Sequence, residues 1–546
     1  MERRGFIGAG LGVTVAAGVT ACGGGGGGAA SSRSPSSPSS PSPSPSPSPG
    51  RTGGAGTSGT GPGAEPGGGS SVAPSRAVAR GWGDLARDLD GSLVRPGDQD
   101  WGTARLLYNT RFDSLRPAAV AYTAHADDVR TVLAYARARR VPVAIRNGGH
   151  SYAGWSSGDG RLIVDVSPMS AIRADGDSAV VGAGAKLIDV YRALAGRGAT
   201  IPAGSCPTVG ISGLTLGGGH GVVSRAYGLT CDHLTGATVI TADGRRRVAD
   251  ARENSELFWA LRGAGNGNFG VVTELRFRTR PAPRAVTGYM SWPWSRAAAV
   301  VRAWQEWGPA QPDEIWSVVH LSRSPGGAPT VTVSCFSLGT YGDLQNAVDR
   351  LADRIGASAN RVTLRRRSYE EAMEVYAGCA GFGDDDRCRL PGSTPGRSPE
   401  GALGRETYAA RSDFFDRPLS EEGVRALIGG IEGVRGGPGT VSLTALGGAV
   451  NRVAPTATAF VHRRSRTLAQ YTVAWPSGTG GAAAREWLGR THGAMRRHAS
   501  GAAYQNYTDP SLTGWRGAYY GAAAARLRAV KRRYDPSGFF TFPQSL

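Results

Sequence analysis

Two residues in this 546-residue chain stand out for the company they keep. His150 lies in Arg146-Asn147-Gly148-Gly149-His150-Ser151-Tyr152, and Cys206 lies in Gly204-Ser205-Cys206-Pro207-Thr208-Val209-Gly210, 56 residues further on. Imidazole and thiolate are both nucleophiles, and each here sits alone in a glycine turn rather than on an apolar face. Residues 146–270 contain 24 glycines in 125 positions. Such density, in loops that follow strands, predicts backbone packed against something extended and anionic, such as a pyrophosphate. A Rossmann unit fits poorly, because no glycine fingerprint leads directly into a helix with an acidic residue at the next strand end. No Cys/His cluster has zinc spacing, so no metal is expected.

The elements that must hold these loops are readable from periodicity. From Asp127 to Arg140, Val129, Val132, Leu133 and Ala136 recur at helical spacing behind an Asp-rich start. Pro142–Ile145 is a short strand running into the His150 loop. Strands over Leu162–Val166 and Ala179–Gly184 follow, then a helix over Lys186–Ala195, and then the Cys206 loop with Gly213–Gly221 behind it. From about Thr287 to His498 the pattern changes. Strands such as Thr330–Phe336, Thr440–Leu446 and Leu468–Trp475 alternate with helices over Ala297–Gly308 and Ala483–His498. That pattern predicts an antiparallel sheet backed by helices.

The chain begins with Arg3-Arg4-Gly5-Phe6-Ile7, an apolar run to Ala21, and Cys22. This is the layout of a twin-arginine export signal ending in a lipoprotein box, with residues 1–21 removed and Cys22 lipidated. Residues 22–75 form a Gly/Ser/Pro linker that cannot bury apolar surface. The expected product is an exported protein, at the cell surface or secreted, with membrane contact only through the Cys22 lipid. The net charge of +19 does not indicate a nucleic-acid partner. Only Lys186 and Lys531 among 62 basic residues are lysine, and no basic stripe is interleaved with aromatics. Cys379 and Cys388, nine apart in a loop-like stretch, could pair.

The two glycine loops resemble those of the berberine bridge enzyme-like flavoproteins. So do Ser224–Asp232, Thr241–Gly244, Leu257–Gly263, Gly267–Val272, Tyr504-Gln505-Asn506-Tyr507 and Tyr534–Gln544. The resemblance implies an α+β fold: a two-subdomain PCMH-type FAD-binding domain over 76–285 plus an antiparallel-sheet substrate domain, backed by helices, over 286–500. Residues 501–546 would return to the flavin domain. It implies FAD bonded covalently through His150 and Cys206, contacted also by Arg146, Asn147, Gly148, Gly149, Ser151, Thr208, Val209, Gly210, Gly213, Gly218, Gly219, Val271 and Asn506. Tyr507 would be the catalytic base, on a strand over Ala503–Thr508 that turns Tyr504 to the opposite face. His220 stands where some relatives carry a substrate-contacting tyrosine, and would be a second acid/base, a substrate contact or a packing residue. Cys231 is expected at a strand edge and His462 is expected to be structural. The implied reaction takes hydride from a CH–OH carbon of a small molecule, a carbohydrate among the candidates, with molecular oxygen as reoxidant. A dehydrogenase, a natural-product tailoring enzyme and a flavin-binding lipoprotein without turnover are the alternatives.

Overall fold

The helical spacing of residues 127–140 is realised as a helix over Ala126–Arg139. It appears in a computed structural model that describes residues 81–383 and 385–546. The export signal, Cys22, the whole linker over 22–75 and residues 76–80 lie outside the described residues. Asp128 fixes the helix start by accepting the backbone N–H groups of Asp90, Gly91 and Ala124 at 3.0, 2.9 and 2.8 Å. Val129, Val132, Leu133 and Ala136 are buried in the core of the flavin half.

That helix connects two strands of a four-stranded sheet, Ala119–Tyr122 and Val143–Arg146, which flank Leu162–Asp165 and run parallel to it. Arg146 and Asp165 are register partners at the carboxyl ends of their strands. The His150 loop leaves from that edge, the place where parallel strands present a crevice to a ligand. A second sheet of five strands, Ile172–Asp175, Ser178–Gly182, Val271–Arg278, Leu234–Ile240 and Arg246–Asp250 in spatial order, is antiparallel throughout.

The third sheet has seven antiparallel strands in the order Arg361–Arg367, Ala285–Trp292, Thr330–Ser337, Ile315–Arg323, Gly439–Ala445, Thr467–Ala474 and Tyr408–Phe415. Its two faces follow from the two-residue repeat of a strand. Val319, Leu321, Val441, Leu443, Tyr471 and Val473 are buried in one core with Trp304, Leu344, Leu427 and Trp487 of the helices behind the sheet. Each tryptophan there also satisfies its indole N–H, Trp304 on Ser317 Oγ at 3.0 Å and Trp487 on Gly430 O at 2.7 Å. The alternate residues Trp316, Val318, His320, Ser442, Thr444 and Gln470 face the flavin half. The mixed helices and sheets are the α+β architecture that the pattern predicts.

The C-terminal helix Ala524–Tyr534 packs on the helix Ser255–Ala264, with Arg526 paired to Glu256 at 2.8 and 2.6 Å. Lys531 donates to Asn268 O, Phe540 O and Asp535, each at 2.7 Å. Both lysines of the chain are buried, Lys186 at 5% and Lys531 at 6% exposure.

Two local expectations are corrected. Residues 503–508 form turns, not a strand, because Tyr507 N–H bonds back to Tyr504 O at 2.9 Å. Cys231 sits in a 3-10 turn over Thr230–Asp232 rather than at a strand edge. The Cys206 loop runs into the short helix Ile211–Leu216, with Gly210 at its N-cap position.

Candidate active site

The glycines of the two loops serve first to let the loops touch each other. A Cβ on Gly148 would collide with Thr208 O and lie 2.7 Å from Gly210 N, and one on Gly210 would collide with the Asn147 side chain. Asn147 is the brace: its Nδ2 donates to Ala183 O, Ala185 O and Ser212 Oγ, and its Oδ1 accepts from Lys186 Nζ. The Arg146 guanidinium turns away to a buried ion pair with Asp165.

His150 and Cys206 both line one cavity of about 390 Å3 between these loops, the flavin-half segment Gly263–Val272, the C-terminal turns and the large sheet. The His150 ring stacks on Tyr108 with centroids 4.1 Å apart, and its Nε2 is 2.8 Å from Thr208 Oγ1. Burial, then the nearby Lys186 ammonium, lowers its pKa to about 3, so the imidazole is neutral. Cys206 is not a free thiol in this structure. Cys231 and Cys335 are buried free thiols, and Cys379–Cys388 is a disulfide with a Cα separation of 5.6 Å.

Tyr507 and His220 meet in the same cavity. The Tyr507 hydroxyl is 2.7 Å from His220 Nε2. Burial alone lowers the His220 pKa to about 4, and burial, then Tyr152 and Tyr504, raises that of Tyr507 well above 10. The phenol is therefore the donor and the neutral imidazole the acceptor, which puts the His220 proton on Nδ1, an atom without a partner among the described residues. Asn506 holds the turn that presents Tyr507: its Nδ2 donates to Leu214 O and Tyr504 Oη, both at 2.9 Å, and its Oδ1 accepts from Asn266 at 2.8 Å. Since the segment turns, Tyr504 shares the face of Tyr507, with ring centroids 5.0 Å apart, and its hydroxyl accepts the Gly219 N–H at 2.8 Å. This corrects the opposite-face expectation for Tyr504.

Several lining groups escape a reading of the sequence. Tyr152 stacks on Tyr507 with centroids 5.3 Å apart, and its hydroxyl accepts from Gln470 Nε2 at 2.8 Å. His320 Nδ1 is 2.9 Å from Ser442 Oγ, and His320, Ser442 and Gln470 are register partners on three adjacent strands. They form a polar row across the cavity face of the large sheet. The alternation of these strands was visible, but which face meets the flavin half was not.

Arg146, Asn147, Gly148, Gly149, Ser151, Val209, Gly210, Gly213 and Asn506 line the cavity with His150, Cys206, His220 and Tyr507. Thr208 reaches it only through His150. Gly218, Gly219 and Val271 do not line it: Cβ atoms on the two glycines would meet Phe460 and Thr230, and Val271 is buried in strand pairing with Ile240. His462 is structural, donating to Tyr519 O at 3.0 Å and stacking on Phe414 at 4.3 Å.

The cavity suits a flavin dinucleotide. Its walls are glycine backbone on one side and aromatic rings on another, and nothing stands within 4 Å of where a Cβ on Gly213 would project. Comparison with known proteins agrees. Residues 117–250 match the FAD binding domain family, and residues 503–546 match the berberine and berberine-like family. The FAD-linked oxidoreductase YgaK of Bacillus subtilis is 30% identical over 466 residues, covering 84% of this chain and 97% of the relative. The chitooligosaccharide oxidase of Gibberella zeae is 29% identical over 477 residues, 82% of this chain and 91% of that protein. The solved structure of a xylooligosaccharide oxidase from Myceliophthora thermophila with xylobiose superposes with a TM-score of 0.74 at 27% identity, covering 85% of this chain and 98% of that one. The chain belongs to the berberine bridge enzyme-like family of FAD-linked oxidoreductases.

Proposed function

We propose that the protein oxidises the hemiacetal carbon of an oligosaccharide to a lactone, with FAD bonded to His150 and Cys206 and oxygen as the reoxidant. The observation that carries this reading is the hydrogen-bonded Tyr507–His220 pair, in one cavity with both candidate attachment residues and under a polar row. FAD, when bound, supplies the acceptor for the hydride. The hydroxyl proton must leave as the hydride does, since otherwise the product would be a protonated carbonyl. Tyr507 Oη accepts that proton while passing its own to His220 Nε2, so no free phenolate is needed. His320, Ser442 and Gln470 offer donors and acceptors suited to sugar hydroxyls, and the relatives include oxidases of chitooligosaccharide and xylooligosaccharide.

For attachment, His150 Nε2–H donating to Thr208 Oγ1 would leave Nδ1 as the atom to hold the flavin. Export by the twin-arginine route and lipidation at Cys22 belong to the same proposal. They rest on sequence alone, in a segment outside the described residues.

Acid precipitation of the purified holoenzyme tests attachment. A yellow pellet, with peptide masses placing flavin on His150 and Cys206, is the expected result. A colourless pellet overturns it, and unmodified Cys206 overturns its half. A peroxide assay over reducing oligosaccharides, alcohols and aromatic carbinols tests the reaction. Turnover confined to non-sugars favours a tailoring enzyme, and absence of flavin reduction by any substrate leaves the non-catalytic binder.

A further inference from the structure

The excursion between the helix Tyr369–Ala377 and the strand Tyr408–Phe415 crosses from the large sheet to the flavin half like a strap. The Cys379–Cys388 disulfide closes its first turn. Arg389 donates to Asp189 at 2.8 Å, and Arg405 donates to Leu107 O at 2.7 Å and to both oxygens of Asp113. Where the strap lies over the strand end that bears Arg146, a second cavity remains, of about 30 Å3. Residues 146–149 line both this chamber and the large cavity.

The charges around the chamber do not balance. Arg146 and Lys186 face it from the flavin half and Arg397 faces it from the strap, with Asp165 as the one carboxylate in its wall. Asp165 is already engaged: one oxygen accepts from Arg146 Nε, the other from Ser167 N–H at 2.8 Å. The Arg146 side chain is 4% exposed, and its Nη1 has no partner among the described residues. Lys186 is held by neutral oxygens, of Asn147, Ser167 and Gly184. Gly396 of the strap lets it approach that ammonium, since a Cβ there would stand 2.9 Å from Lys186 Nζ. Burial, then Arg405 and Arg146, pushes the pKa of Arg397 down to about 10. Like charges thus face each other across a gap that two tightly packed elements leave open.

We propose that this chamber binds one monatomic anion of halide size, chloride, between Arg146 and Arg397, with Lys186 supplying further charge. A water molecule would accept the orphan Arg146 N–H but leave the excess positive charge in place. A volume of about 30 Å3 admits one or two water-sized particles, which suits a halide rather than a tetrahedral oxyanion. The anion would tie the strap to the loop that carries His150, and the site stands whether or not the substrate reading holds.

The test uses the holoenzyme, exchanged from sodium gluconate into sodium chloride or bromide at constant ionic strength. The expected results are a Tm rise of several degrees that saturates with halide, its absence in Arg397→Met, and a bromine anomalous peak between Arg146 and Arg397 in bromide-grown crystals. Absence of that peak, or a salt response that Arg397→Met shares in full, overturns the proposal. If Arg397→Met does not fold, the wild-type halide titration and the anomalous peak decide.

Discussion

Replacing Tyr507 by phenylalanine isolates one atom. The ring keeps its stack on Tyr152 and its edge contact with Tyr504, so only the hydroxyl that bonds His220 Nε2 at 2.7 Å is lost. A positioned general base contributes about 10²–10⁴ in rate, or ~3–5 kcal/mol of barrier. His220 would remain in reach of the space vacated, and a water there could relay in part, so a loss of about 10³ is expected. The assay is anaerobic stopped-flow bleaching of the flavin at saturating sugar, which reads the hydride step without reoxidation. His220→Gln should cost a similar factor, and the double variant little more than the worse single one, because a relay acts as a unit. Since His220 must be neutral to accept, and its pKa is lowered to about 4, the wild-type rate should be flat above pH 6 and fall as pH approaches 4. Flavin reduction by Tyr507→Phe within about threefold of wild type would refute the relay outright.

Other outcomes follow from the same structure. Burial holds His150 at about 3 and His220, His320 and His462 at about 4, so each binds a proton more readily unfolded than folded. Stability from these groups is full above pH 6.5 and declines towards pH 4, so Tm should drop steeply over that window. His462→Gln should remove at most ~3 kcal/mol of the stability lost between pH 6.5 and pH 4, and an unchanged pH dependence would count against the buried-neutral assignment. Arg463 is fully buried and holds Asp232 at 2.9 and 2.6 Å, so Arg463→Met should cost ~3–5 kcal/mol in denaturant unfolding. Adding Asp232→Asn should recover part of that loss, and strict additivity would contradict the pairing. Opening Cys379–Cys388 as a double serine variant should cost ~2–3 kcal/mol and admit protease within residues 378–407.

The long elements were legible because burial imposes a period on them. Val129 to Ala136 read as helix, and the strands of the large sheet read as alternation, and both stand. The glycine loops were legible too, though their glycines serve partly to let Gly148 and Gly210 pack loop on loop. What the chain hid was set by long-range register. Tyr152, Gln470, Ser442 and His320 meet only when the large sheet turns one face to the flavin half. Tyr504 was misplaced because an aromatic, β-prone run suggested a strand, while the side chain of Asn506 stabilises a turn there. Gly218 and Gly219 make room for Phe460 and Thr230, a packing role that composition does not encode.

The burial of both lysines has a chemical consequence. With arginine and histidine as the other basic side chains, the folded surface over the described residues offers no primary amine from a side chain. Reducing sugars and lactones condense with or acylate amines, and neither finds a target there. An amine-selective acylating reagent would leave Lys186 and Lys531 untouched while the fold holds and mark them once it opens. Two buried ammonium groups thus give the molecule a built-in reporter of its own unfolding.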